Sequence, residues 1–117
     1  MNILTILLLV GCVLLLSTGQ ILFKLAAESF PKVLDWGSIF NFVINKHFIL
    51  ALIIYGFATI LWIWLLSKIP LSRAYPFIAL AFILVPIMSN FFLGEKIPVT
   101  VILGSSIIII GLIVSVN

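Results

Sequence analysis

Four long apolar runs separated by short polar clusters organise the chain, over about residues 3–23, 48–66, 72–93 and 99–116. At about 1.5 Å of rise per residue, a helix of some 20 residues crosses a hydrocarbon core about 30 Å thick. The pattern predicts a single all-α membrane domain, residues 1–117, built from four transmembrane helices. The longest connection, residues 28–46, holds the apolar stretch Trp36-Gly37-Ser38-Ile39-Phe40-Asn41-Phe42-Val43-Ile44, which is too short to span. It either lies in the membrane interface or opens the second helix early, with Trp36 as an interfacial anchor.

Polar positions inside the runs add detail. The first run closes on Ser17-Thr18-Gly19-Gln20 and ends at Lys24. Lipid offers hydroxyl and amide groups no partner, so these are expected to face the bundle interior or a hydrated cavity. Lys24 lies about 31 Å along the axis from the start of the run, near a membrane surface, and Glu28 follows one turn later on the same face. Pro86 interrupts the third run. It brings no backbone donor and frees the carbonyl of Phe82, so the third helix is expected to kink at Pro86 and to need a neighbour for that carbonyl. Ser89 and Asn90, one turn on, fit the same interior setting. In the fourth run Gly104, Ile108, Gly111 and Ser115 recur on one helix face. A stripe of small residues lets two helix backbones approach closely, which makes the fourth helix a dimerisation helix.

Composition narrows the class. Hydrophobic residues make up 65% of the chain and charged ones 8%, against roughly 45–50% and 25% in soluble domains. Soluble enzymes and disordered chains are thereby excluded. The six cations, Lys24, Lys32, Lys46, Lys68, Arg73 and Lys96, outnumber the three acids. They are scattered near helix ends, where long basic side chains reach lipid headgroups, and form no basic run that would take nucleic acid. Lys68 and Arg73 fall on one side of the membrane, Lys32, Lys46 and Lys96 on the other, a small excess that favours termini facing away from the cytoplasm.

Candidate chemistry is sparse. Cys12 stands alone, so neither an internal disulfide nor a multi-cysteine metal site is available. Leu9-Val10-Gly11-Cys12 has the look of a lipoprotein cleavage box, but lacks a basic start and a bounded apolar core; Cys12 reads as a small buried residue. The single His47, with no Ser-His-acid set, phosphate loop or HExxH, leaves no catalytic residue, metal site or cofactor site, and hence no enzyme. Glu28, Asp35 and Glu95 all fall at or beyond helix ends, so no carboxylate stands at the membrane centre to couple transport to protons.

What remains is a polar seam. Ser17, Thr18, Gln20, Tyr75, Ser89 and Asn90 are expected to line a groove, with Lys24 and Arg73 at its mouths. Such a groove suits an amphiphile whose headgroup passes between helices while its tail stays in lipid. Arg73 would grip a phosphate with two hydrogen bonds and Lys24 as a point charge. Gln20 and Tyr75 would hydrogen-bond the headgroup, and Glu28 or Glu95 would supply an ion pair or an amine contact. The plainer alternative is that both cations anchor helix ends to lipid phosphates.

Gly19-Gln20-Ile21-Leu22-Phe23-Lys24, together with Ile69-Pro70-Leu71-Ser72-Arg73-Ala74-Tyr75-Pro76-Phe77-Ile78-Ala79-Leu80, resembles the short four-helix members of the drug/metabolite transporter superfamily. The likeness is greatest to the paired flippase subunits that move 4-amino-4-deoxy-arabinose-phosphoundecaprenol across the bacterial inner membrane. The Gly94-Glu95 turn and the glycines of the fourth run fit as well. The small multidrug resistance family shares the plan and the Ala74-Tyr75 signature, but departs where it handles drugs. Its embedded acid falls here on Leu16, its third-helix Trp on Ile78 and its Gly-x-Gly on Leu80-Ala81-Phe82.

The resemblance implies a multi-pass inner-membrane carrier that flips a polyprenyl-phosphate-linked sugar for envelope glycan or lipid A modification. It also implies a dimer, with a second copy or a similar small subunit, because four short helices make half a transport path. Two alternatives stay open: efflux or uptake of a small soluble molecule, and a non-transporting accessory subunit of a membrane glycosyltransferase.

Overall fold

The computed structural model describes residues 2–117, and every regular element among them is helical. Helix α1 (Ile3–Ala27) is followed by the short α2 (Trp36–Val43) and by α3 (Lys46–Leu66). The third span, Leu71–Leu93, is composite: one turn, α4 (Leu71–Ala74), a 3-10 segment (Tyr75–Leu80), then α5 (Ala81–Leu93). Helix α6 (Val99–Val116) completes the chain. Four helices are thus long and apolar enough to cross a membrane, as the apolar runs predict.

Side-chain caps start the first three helices. Asn2 accepts from the Thr5 N–H at 2.8 Å, Asp35 from Ser38 N–H at 2.7 Å, and Asn45 from His47 N–H at 2.9 Å. Each satisfies an amide that the helix itself leaves open. Asn45 separates α2 from α3, so the Trp36 stretch is a helix of its own and not an early start to the second span. Its Phe42 ring lies 5.1 Å from Phe30 and 4.8 Å from Phe48, which ties α2 to the end of the bundle, while Trp36 projects outward at 88% exposure.

The core is built mainly between α1 and α3 and closed by the 3-10 segment. Leu9, Cys12 and Val13 of α1 pack with Ala58 and Leu65 of α3, and with Ala74, Phe77 and Leu112. Small residues set the approach. A Cβ on Gly19 would stand 3.0 Å from the Tyr55 ring, and Cys12 Sγ donates to the Ala58 carbonyl at 3.3 Å.

The third span is irregular near its start. The change from α to 3-10 geometry falls at Tyr75–Leu80, and the chain is α-helical through Pro86. Pro76, with no N–H and a ring set against the carbonyl of Ser72, accounts for the tightened turn. Pro86 still frees the carbonyl of Phe82, and the needed neighbour is present: Ser105 Oγ of α6 donates to Phe82 O at 2.8 Å. This bond fastens the fourth span to the third across the proline.

The Cα envelope measures 51 × 37 × 20 Å, a slab about two helix diameters thick. A slab leaves one face of the later helices without protein cover. Of α6, only Ser105 and Leu112 are buried. In the Gly104, Ile108, Gly111 and Ser115 stripe, a Cβ at either glycine would meet nothing within 4 Å, while Ile108 is partly buried.

Candidate functional site

Three adjoining hollows run along the groove between α1, α5 and α6, and all three are walled by Pro86 and Val101. The largest, about 410 Å³, is lined by Gln20, Ala81, Phe82, Val85 and Ser105 as well. The next, about 310 Å³, lies toward the helix ends and takes in Ser89, Glu95, Lys96 and Ile97. A smaller one of about 130 Å³ holds Ile83, Ile102 and Ser106. Together they form a cleft with apolar walls, a single amide (Gln20) partway down, and charge at one mouth.

The mouth is built by the turn between α5 and α6. Gly94 ends α5 with φ 70°, a left-handed conformation open to glycine at little cost. The turn is then fixed from α5. Ser89 Oγ hydrogen-bonds the Glu95 carboxylate at Oε1, Asn90 Nδ2 donates to the Glu95 carbonyl at 2.8 Å, and Glu95 N–H reaches Ser89 O at 3.4 Å. The other carboxylate oxygen, Oε2, stands 4.0 Å from Lys24 Nζ of α1. Lys24 and Gln20 lie one turn apart on α1 and so share a face, about 6 Å apart along the axis. The amide lines the largest hollow and the acid the next one, and the cation stands over the acid without lining either.

The expected single seam is not what the structure shows. Ser17 is fully enclosed, and its hydroxyl returns to the Val13 carbonyl at 2.8 Å; Thr18 does likewise to Leu14 at 2.9 Å. Their polarity is absorbed within the helix, not by a hydrated cavity. Asn90 braces the Glu95 turn. Tyr75 is 60% exposed and packs edge-on against Trp62 at 6.4 Å, away from the residues that line the Gln20 cleft. Arg73 is exposed in α4, which starts the third span, whereas Lys24 closes the first; the up-and-down order sets these cations at opposite ends. Glu28 is exposed at the end of α1 and is not the ion-pair partner of Lys24.

Sequence reasoning missed Ser105, Val101 and Lys96 as parts of the site. A hydroxyl inside the aliphatic α6 run, within reach of a proline-freed carbonyl, was the available signal for Ser105; the apolar Val101 carried none.

A second cavity, about 140 Å³, sits on another side of α1 and is lined by Leu16, Tyr55, Thr59, Trp62 and Ile78. Leu16 and Ile78 are the positions where the multidrug resistance pattern has its acid and its Trp. Here they face each other across an aromatic, carboxylate-free pocket.

Four apolar spans around a side cleft, tipped with an ion pair, define a small multi-pass membrane protein of the transporter type. Comparison with curated proteins makes this specific. The chain is 37% identical over 107 residues to a protein of Aeromonas salmonicida (strain A449) described as "Probable 4-amino-4-deoxy-L-arabinose-phosphoundecaprenol flippase subunit ArnE", covering 90% of each chain. A protein of the same description from Enterobacter sp. (strain 638) is 32% identical over 106 residues, 91% of each. A third, from Hamiltonella defensa, is 38% identical over 64 residues, 55% of this chain and 58% of that one. No protein-family model matches the chain, and no solved structure matches it. The chain belongs to the family of ArnE-type flippase subunits.

Proposed function

We propose that this chain is one subunit of a flippase that moves a polyprenyl-phosphate-linked amino sugar of the aminoarabinose type across the bacterial inner membrane, for envelope glycan or lipid A modification. Its relatives carry that description. The observation that carries the reading is the continuity of the Gln20 hollow with the Lys24–Glu95 mouth along the shared Pro86–Val101 wall. A phosphate held by Lys24 leaves the sugar within reach of Gln20, while the isoprenoid tail stays in the lipid outside the slab.

In this reading Arg73 and Tyr75 serve the opposite membrane face, where Arg73 takes the phosphate at the other end of the path. Ser17 and Asn90 support helices and make no contact with cargo. The stripe of Gly104, Ile108, Gly111 and Ser115 meets a second copy or a similar small subunit and completes the path that one slab leaves open. The chain does no covalent chemistry; it lowers the cost of carrying a hydrated headgroup through hydrocarbon.

Vesicles reconstituted with the protein, alone and with a second flippase subunit, and loaded with labelled undecaprenyl-phosphate-aminoarabinose test the proposal. Expected are protein-dependent flipping and its loss by roughly tenfold or more, the scale of one charge-assisted contact, in Lys24→Ala and Gln20→Leu. Wild-type vesicles no faster than protein-free ones would overturn it.

A further inference from the structure

The Lys24–Glu95 pair presents a cation and an anion at the mouth of one cleft, and the pair is loosely made. Its atoms stand 4.0 Å apart, and the two side chains are 55% and 48% exposed. Half-exposed pairs of this kind contribute little stability, so opening this one costs little. Direct N⁺–H···O⁻ contacts to phosphate or carboxylate form at about 2.7–2.9 Å and are stronger. Glu95, unlike Lys24, is held on its far side: Ser89 occupies Oε1, Asn90 holds the backbone, and Gly94 fixes the turn. The carboxylate therefore presents Oε2 toward Lys24 whether or not Lys24 stays.

We infer that the Lys24–Glu95 pair is an exchangeable headgroup reader, selective for lipids that carry an anion and an ammonium together. The inference rests on the flippase reading above. A zwitterionic headgroup opens the pair and replaces it with two contacts, phosphate on Lys24 and ammonium on Glu95. A lipid with phosphate alone takes Lys24 and strands the Glu95 carboxylate beside a second negative charge. An amine without phosphate strands Lys24. The site thus discriminates by the penalty of leaving one partner unpaired, and the pair keeps both charges matched when no cargo is present. Glu95 is a binding residue here; Ser89 is a positioning residue that acts through it.

The test measures binding of two lipids to the full chain in lipid nanodiscs: undecaprenyl-phosphate-aminoarabinose and its counterpart with hydroxyl in place of the amine. Wild-type protein is expected to prefer the amino lipid by roughly tenfold or more. Glu95→Gln should bring that ratio close to one while still binding the hydroxyl lipid, and Glu95→Asp should restore part of it. Ser89→Ala should lower the ratio without abolishing it, a change that a merely structural role would not produce because both lipids would weaken together. Helical circular dichroism identifies folded variants. Should Glu95→Gln not fold, the wild-type ratio and that of Glu95→Asp decide. Equal binding of the two lipids by wild-type protein, or an undiminished ratio in folded Glu95→Gln, overturns the reader. Binding of neither lipid, by the chain alone or together with a second subunit, overturns the flippase reading instead.

Discussion

At the scale of single residues, two contacts show how the chain places polarity inside an apolar molecule. Ser105 supplies the donor that Pro86 removes, at 2.8 Å from the Phe82 carbonyl. Ser105→Ala should destabilise the protein by about 1 kcal/mol, the scale of one interhelical bond in a membrane. In a Pro86→Ala background the restored N–H serves the carbonyl, so the same substitution should cost markedly less. Unfolding in mixed detergent gives this double-mutant cycle, and equal costs in both backgrounds would break the link between the two residues. Asp35, outside the spans, is a second case. Its carboxyl lies below the usual carboxylate range, chiefly because the Ser38 backbone N–H donates to it, with a smaller contribution from the Ser38 side chain. A depressed folded value means that the cap contributes above the ordinary carboxylate range and is lost as pH falls through the lowered one. Protection of the α2 amides, taken relative to their intrinsic exchange rate at each pH, should therefore fall in acid, and Asp35→Ala should lower it at every pH and remove that dependence.

At the scale of elements, the four spans were readable because apolar length alone decides what crosses a membrane. The carbonyl freed by Pro86 was readable too, since it follows from the proline ring, whereas its donor belongs to a helix seventeen or more residues away in sequence and depends on packing. Rotation about each helix axis was not readable. Helices that are apolar on every side give no face to the pattern, so nothing marked Tyr75 as turned to Trp62 or Gln20 as turned to the cleft. Hydroxyls were misleading for a simpler reason: Ser17 and Thr18 satisfy themselves on the preceding turn. The Gly94 turn belongs to this scale as well. Gly94→Ala forces a Cβ into φ 70° at a cost of about 1 kcal/mol, and should shift Glu95 enough to lower both stability and cargo binding. Unfolding and nanodisc binding on one sample measure the two effects.

At the scale of the whole molecule, a slab 20 Å thick cannot surround a headgroup. Gly104 and Gly111 of α6 stand clear of the rest of the chain, on the side where we propose that a partner docks. Gly111→Leu adds bulk where a Cβ would meet no atom of this chain, so the folded monomer should tolerate it. Association with a second copy or subunit should weaken, and native mass measurement of the detergent complex reads both. Unchanged stoichiometry would move the interface elsewhere. The charge layout was legible at this scale from topology alone: successive spans alternate in direction, which separates Arg73 from Lys24 before any coordinate is drawn.

The sulfur of Cys12 has a practical consequence. It is fully enclosed and directed at Ala58, so a water-borne maleimide should leave the native protein unmarked and attach only after unfolding. The chain thus comes with a silent thiol background, and one cysteine placed at position 20, 24 or 95 can report when the passage is wet, with the natural cysteine left in place.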